Sequence, residues 1–328
     1  MISRKVFALF FLSILCFQTA SAQELSRSTE SALAWLTKMG NAPRQYNYAG
    51  TFVYYADSHM ETSYIAHKRD AFGERERIEV LDGMPRIVFR NNDEMKCYLP
   101  ESRKIYTEKR WFRKFFPDFM PQPVENIDDN YLVTEIKRER IANREAQVLM
   151  LIPRDSLRYG HQFWIDVDTG LLLKVSVVQG NDIIEQFSFA QLRVDHDIEV
   201  GEVTPDQAMV SGEWKTTNLI AAILNKNELR WEITHLPTGF KKLVEMKRNL
   251  TEKATLVDHI ALSDGLATVS VFIESIVKDA PAPVPGFFSS RGAINIYVRT
   301  LDGNKITTVG EVPVETIKLI GDSVIRKN

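Results

Sequence analysis

Runs that alternate apolar and polar residues in steps of two, separated by short turn signals, recur along this 328-residue chain and commit it to antiparallel β-structure. The plainest case is Arg154–Lys174, RDSLRYGHQFWIDVDTGLLLK. Within it, His161–Asp168 sets Phe163, Ile165 and Val167 on one face and Trp164 and Asp166 on the other. Asp168-Thr169-Gly170 supplies a turn with glycine where a positive φ is needed, and Leu171–Gln179 runs back.

The same pattern predicts strands at Tyr46–Ala56, Glu61–Arg69, Glu74–Leu81, Pro85–Asn91, Glu94–Leu99 and Lys104–Thr107. After a Pro-rich stretch it returns at Tyr131–Arg138, Arg144–Ile152, His161–Asp168, Gly170–Gln179 and Ile183–Val194. The expectation is a meander of about ten strands, wide enough to curl. A preceding helix with Leu33, Leu36 and Met39 on one stripe is placed to cover one face. Asp195–Lys215 is polar, acidic and aperiodic, and reads as a break. Beyond it the spacing predicts a short helix over Asn218–Leu224. Strands follow at Leu229–His235, Phe240–Arg248, Ala254–Leu262 and Leu266–Ile276, then a hairpin around Asp302-Gly303. An amphipathic helix, Pro313–Val324, with Ile317, Ile320 and Val324 on its stripe, closes the chain. The fold class is therefore mainly β, within α+β, in two units: 23–200 and 218–328, joined by a linker at 201–217.

Residues 1–22 read as a secretory signal. Arg4 and Lys5 precede the apolar run Val6–Phe17, and Ala20-Ser21-Ala22 is a small-residue cleavage site, so cleavage after Ala22 is expected. Its removal changes the formal charge from −2 to −4, far from the basic excess that nucleic-acid binding requires. Cys16 goes with it, which leaves Cys97 as the one thiol and permits no intramolecular disulfide. Cys97 shares a strand face with Met95 and Leu99 and reads as a small buried apolar residue.

Signatures of catalysis are not evident. The six histidines do not pair at metal spacing, and Asp195-His196-Asp197 lacks further donors. Asp166-Val-Asp168-Thr-Gly170 starts like a calcium loop but lacks its remaining acidic ligands and closing glutamate. No nucleophile-elbow, zincin, dinucleotide or Walker pattern occurs, and nothing calls for a cofactor. One constellation does stand out. Lys104–Met120, KIYTEKRWFRKFFPDFM, interleaves Arg113 and other cations with Trp111, Phe112, Phe115 and Phe116. On a surface these rings would enter an apolar ligand while the cations meet anionic head groups; alternatively the rings tuck into the sheet and the charges are solvated. With Phe163 and Ile165 on an inward face of the curved sheet, they are the candidate ligand-binding residues. Exposed strand edges offer a second mode, the addition of a peptide strand.

Several blocks resemble the RseB/MucB family, periplasmic regulators of an envelope-stress sigma factor. They are SYIAHKRD (Ser63–Asp70), GERERIEVLDGMPR (Gly73–Arg86), KCYLPE (Lys96–Glu101) and RDSLRYGHQFWIDVDTGLLLK (Arg154–Lys174). In the second half they are LPTGFKK (Leu236–Lys242), SDGLATVSVFIE (Ser263–Glu274), GAINIY (Gly292–Tyr297) and VGEVPVETIK (Val309–Lys318). The resemblance implies an N-terminal unclosed β-barrel with covering helices, similar to LolA and LolB, and a smaller C-terminal sheet-and-helix domain. It also implies a periplasmic location and binding to the periplasmic domain of an RseA/MucA-type anti-sigma factor. That partner would be shielded from site-one proteolysis and released when lipid or lipopolysaccharide binds. The family offers no catalytic residues. The competing readings are a lipid or lipoprotein carrier acting through the barrel alone, and a periplasmic hydrolase. Partner contacts and homodimer formation are left open by the sequence.

Overall fold

The computed structural model describes residues 31–109, 127–194, 197–224, 228, 230–250, 255–277, 282–289 and 292–327. Helix α1 (31–41) is rich in good helix formers and ends at a 3-10 turn, Ala42–Arg44, that carries Pro43. Its Ala32, Leu36 and Met39 recur at helical spacing and are buried.

Twelve strands form the first sheet. β1 (Tyr48–Ala56), β2 (His59–Asp70), β3 (Gly73–Val80), β4 (Ile87–Asn91), β5 (Glu94–Leu99) and β6 (Lys104–Lys109) make one meander. After the short helix α2 (Ile127–Asn130), a second meander comprises β7 (Tyr131–Ile141), β8 (Arg144–Pro153), β9 (Gly160–Asp166), β10 (Leu172–Gln179) and β11 (Asp182–Val194). The expected single meander is therefore two, spliced where β1 pairs with β11 from Tyr48↔Val194 to Ala56↔Glu185. β7 lies at one edge and β12 (Lys215–Leu219) at the other, parallel to β6, so the sheet is unclosed. Leu36 and Met39 of α1 pack on one face against Tyr48, Ile65, Leu149 and Phe163, which form the first core.

The segment between β11 and β12 is packed onto the sheet's opposite face. Ile198 and Val203 bury against Ala49 and Ala66. Met209, in the helical turn α3 (Gln207–Ser211), and Trp214 pack on Phe89 and Tyr98, with the Trp214 and Tyr98 rings edge-on at 5.3 Å.

The helix expected over Asn218–Leu224 is replaced by strands, the end of β12 and β13 (Ala221–Ile223). The unpaired edges of β6 and β15 supply hydrogen bonds there, and edge pairing overrides the local spacing. In chain order follow β14 (Trp231–Ile233), β15 (Lys241–Arg248), β16 (Val257–Ser263), β17 (Thr268–Ser275) and β18 (Gly286–Ser289). Next come β19 (Asn295–Leu301), β20 (Asn304–Gly310), α4 (Val314–Asp322) and β21 (Val324–Arg326). Seven of these strands form the second sheet, ordered β13-β15-β16-β17-β20-β19-β18, while β14 pairs with β21. Ile317 and Ile320 of α4, together with Val324, are fully buried against Leu262, Val271 and Ile306. Among the described residues no helix is long and apolar enough to cross a membrane.

Candidate functional site

Of the candidate ligand-binding residues, Phe163 and Ile165 lie on β9 inside the first core and are fully buried. Trp111, Phe112, Arg113, Phe115 and Phe116 lie outside the described residues. From the first core an apolar row crosses five strands, Ile65 opposite Ile78, then Val88, Cys97 and Tyr106. Ile65 is sealed, whereas the other four are half-buried. The same face therefore grades from a closed core into an accessible apolar surface. Cys97 is not the buried residue expected. Burial still pushes its thiol up, against a smaller downward pull from Arg86, so it is protonated at neutral pH.

The neighbouring row is polar and sealed. Tyr48 stacks on His67 with centroids 4.6 Å apart, His67 Nδ1 lies 3.3 Å from Glu76, and Arg90 contacts Glu76 at 2.7 Å. Register puts these four side by side on β1–β4, so the buried charges of Glu76 and Arg90 are paired as burial demands.

The two sheets meet at a second buried charge cluster. Arg158 and Asp264 have wholly buried side chains and lie 3.3 Å apart. Arg158 also donates to the Thr238 carbonyl at 2.6 Å and contacts Asp155 at 3.2 Å. Its guanidinium sits over the rings of Tyr131 and Phe240, 5.7 and 5.5 Å from their centroids. Tyr131 donates its hydroxyl to Asp264 at 3.1 Å, and burial followed by the Asp264 charge holds that phenol well above its usual range. The other Asp264 oxygen accepts the backbone N–H groups of Leu266 and Ala267, fixing the turn between β16 and β17. Leu266 then enters the first core, a burial that contributes about 1.5–3 kcal/mol.

Further contacts flank this cluster. Ala293 N–H donates to Glu185 at 2.9 Å, Asn295 to the Tyr159 hydroxyl at 3.0 Å and Thr316 to the Leu157 carbonyl at 2.6 Å. Beside them lies a groove of ≈ 490 Å³ whose lining includes Met150, Ile152, Tyr159, Val178 and Pro313. At the far edge Glu108 meets Arg248 at 2.6 Å. Ile220 alone separates β12 from β13, and Asn249 holds it by hydrogen bonds to its N–H (2.5 Å) and carbonyl (3.1 Å).

These groups suit binding and mechanical coupling. Asp166, one of the carboxylates considered above, is taken up by Arg144 at 3.0 and 2.8 Å and by the Thr169 backbone N–H at 3.1 Å, which makes it the anchor of the β9–β10 turn. No group of three or more His, Cys, Asp or Glu residues is placed to hold a metal among the described residues. Sequence reasoning missed Arg158 and Asp264 as a pair. The available signal was a charge set beside apolar residues in each of two blocks, Arg158 at the head of RYGHQFWID and Asp264 near the head of SDGLATVSVFIE.

Two family models match the chain, the MucB/RseB N-terminal domain over residues 31–207 and the MucB/RseB C-terminal domain over residues 225–325. The chain is 29% identical over 295 residues to the sigma factor AlgU regulatory protein MucB of Pseudomonas aeruginosa, covering 88% of this chain and 89% of that protein. It is 24% identical to the sigma-E factor regulatory protein RseB of Haemophilus influenzae, covering 97% of both chains. Its structure is similar to that of MucB crystallised in complex with MucA(peri), with a TM-score of 0.70 and 25% identity over 90% of this chain and 99% of that one.

Proposed function

The chain belongs to the MucB/RseB family, and from that membership we propose that it is a periplasmic regulator that binds the periplasmic domain of a membrane-bound anti-sigma factor of the MucA/RseA type. The observation that carries this reading is the likeness to MucB captured with MucA(peri), which covers 90% of this chain and 99% of that one. It acts as a binding protein rather than a catalyst. Bound to its partner, it shields that segment from site-one proteolysis and keeps the sigma factor inactive.

The finer part of the proposal is the signal. An amphiphile, a lipid or a lipopolysaccharide fragment, occupies the accessible apolar surface of the first sheet, where Ile78, Val88 and Tyr106 continue the row that begins in the core. The aromatic and basic residues Trp111, Phe112, Arg113, Phe115 and Phe116, which follow β6 in sequence, are the proposed ligand contacts beside that surface. Ligand and partner then favour different states of the two-unit body, and by linkage each weakens the other. Residues 1–22 serve as the export signal, cleaved after Ala22. The unit boundaries proposed are 23–200 and 218–328, with 201–217 between them.

Calorimetric titration of the protein with the periplasmic segment of the anti-sigma factor, with and without lipopolysaccharide fragments, tests both parts. Saturable binding that lipid weakens is the expected result. Binding indifferent to lipid removes the sensor and keeps the regulator. Lipid uptake without partner binding leaves the carrier reading in its place. Replacing Trp111, Phe112, Phe115 and Phe116 with serine is expected to weaken the lipid response in a folded protein.

A further inference from the structure

We propose that Arg158, Asp264 and Tyr131 form a latch that makes the two sheets one cooperative body, so that they part at this junction in an all-or-none step.

The first support is electrostatic. Arg158 and Asp264 have no solvent-exposed side-chain surface and come from opposite units. A slight opening would take Asp264 from Arg158 before water could reach it, while Arg158 keeps Asp155, and a buried carboxylate that loses its cation is strongly unfavourable. A fully closed junction and a fully hydrated open one both satisfy the charges, whereas the states between them do not. Such a contact is bistable rather than elastic.

The second support is the double duty of Asp264. One oxygen meets Arg158 and Tyr131, while the other holds the N–H groups of Leu266 and Ala267. Because this carboxylate also fixes the turn, the turn that inserts Leu266 into the first core moves as one piece with it. Release of the latch and withdrawal of Leu266 are therefore one event.

Tyr131 extends the latch inward. Its ring is fully buried in the first core and meets His161 edge-on at 6.4 Å, and His161 stacks on Phe163 at 5.9 Å. Phe163 thus connects to Asp264 through two ring contacts and one hydroxyl. Gly239 closes the same junction, since its Cα lies so near Asn130 that a Cβ would fall 2.2 Å from the amide. The covalent connection adds no slack, because Asn249 pins Ile220 between β12 and β13.

Hydrogen exchange of the whole chain in graded urea tests the latch through amides remote from it, in β2–β3 of the first sheet and β19–β20 of the second. In the unchanged protein the two sets are expected to open together, with one urea dependence. Asp264→Asn keeps the shape and removes the charge, and Tyr131→Phe removes only the hydroxyl. In either variant β19–β20 is expected to exchange at least tenfold faster while β2–β3 stays within a factor of two. Equal acceleration of both sets would mean that the cluster stabilises without coupling, and would overturn the proposal. Separate opening in the unchanged protein, or coincident opening in both variants at the original rate, would overturn it as well. Tyr131→Phe carries the test alone if Asp264→Asn does not fold.

Discussion

Glu108 on β6 and Arg248 on β15 meet at 2.6 Å, an ion pair between the second strand of the first sheet and the second strand of the other. Both side chains are more than four-fifths buried, so water screens the pair only partly. Glu108→Gln should lower the unfolding free energy by about 1–3 kcal/mol. Urea unfolding of the variant measures this, and an unchanged midpoint would remove the pair from the account of how the sheets are joined.

His259 makes stability depend on pH. It is buried on β16, stacked on Phe272 at 4.4 Å and hydrogen-bonded with Ser270 at 2.9 Å. Burial first, and then the Arg248 charge, push its imidazole down to about 4. In the unfolded chain it titrates near ~6.5. Between these values the unfolded state binds the extra proton. The contribution is thus complete above pH ~6.5 and is lost as pH falls toward 4, amounting to about 3 kcal/mol. Urea unfolding at pH 7 and pH 4.5 should show a smaller loss for His259→Gln than for the unchanged protein. Equal losses would assign the effect to other groups.

Asp166 works in the same direction at lower pH. Burial alone would raise its carboxyl, but the Arg144 guanidinium and the Thr169 hydrogen bonds outweigh that and hold it below the usual range. Its contribution is present above the unfolded value of about 3.9 and disappears as pH falls through the lower folded value. Asp166→Asn should cost about 3 kcal/mol at pH 7 by removing the buried carboxylate that Arg144 and Thr169 hold. The difference between variant and parent should shrink below pH ~4; a gap that stays constant with pH would contradict the ion-pair explanation.

Gly239 and Gly83 offer a matched comparison. Both have positive φ, +84° and +75°, but a Cβ at Gly239 would strike Asn130, whereas at Gly83 it meets open space. Gly83→Ala should cost only the left-handed backbone, about 1–2 kcal/mol. Gly239→Ala should cost about 1–3 kcal/mol more from overpacking at the junction. Thermal unfolding of the two variants decides, and equal shifts would mean that Asn130 yields without strain.

The strands, the hairpin turns and the amphipathic α4 were legible because each is written in consecutive residues. Alternation places Phe163 and Ile165 on one face wherever β9 ends up, and Ile317 and Ile320 mark the buried stripe of α4. The tight turn at Asp302-Gly303 is equally local, with φ of 48° and 71° matching a two-residue hairpin. The β3–β4 connection shows the limit of such signals. Asp82-Gly83 is a hairpin-turn pair between strands expected to end at Leu81 and resume at Pro85, yet the loop spans 81–86, with Val80 N–H closing on the Arg86 carbonyl at 2.9 Å.

Other features depend on which distant segments become neighbours. The β1–β11 splice, the parallel addition of β12 to β6 and the packing of Trp214 on Tyr98 are choices among many sterically allowed pairings. The same holds for the row from Ile65 to Tyr106, whose members come into line only once five strands share a register. By itself the sequence determined a mainly β chain in two parts, with the apolar face of β9 already assigned. Tertiary structure alone decided that Arg158 would find Asp264. Hydrophobic alternation is a property of adjacent residues, whereas a buried charge declares only that it needs a partner, and the topology of the chain supplies which one.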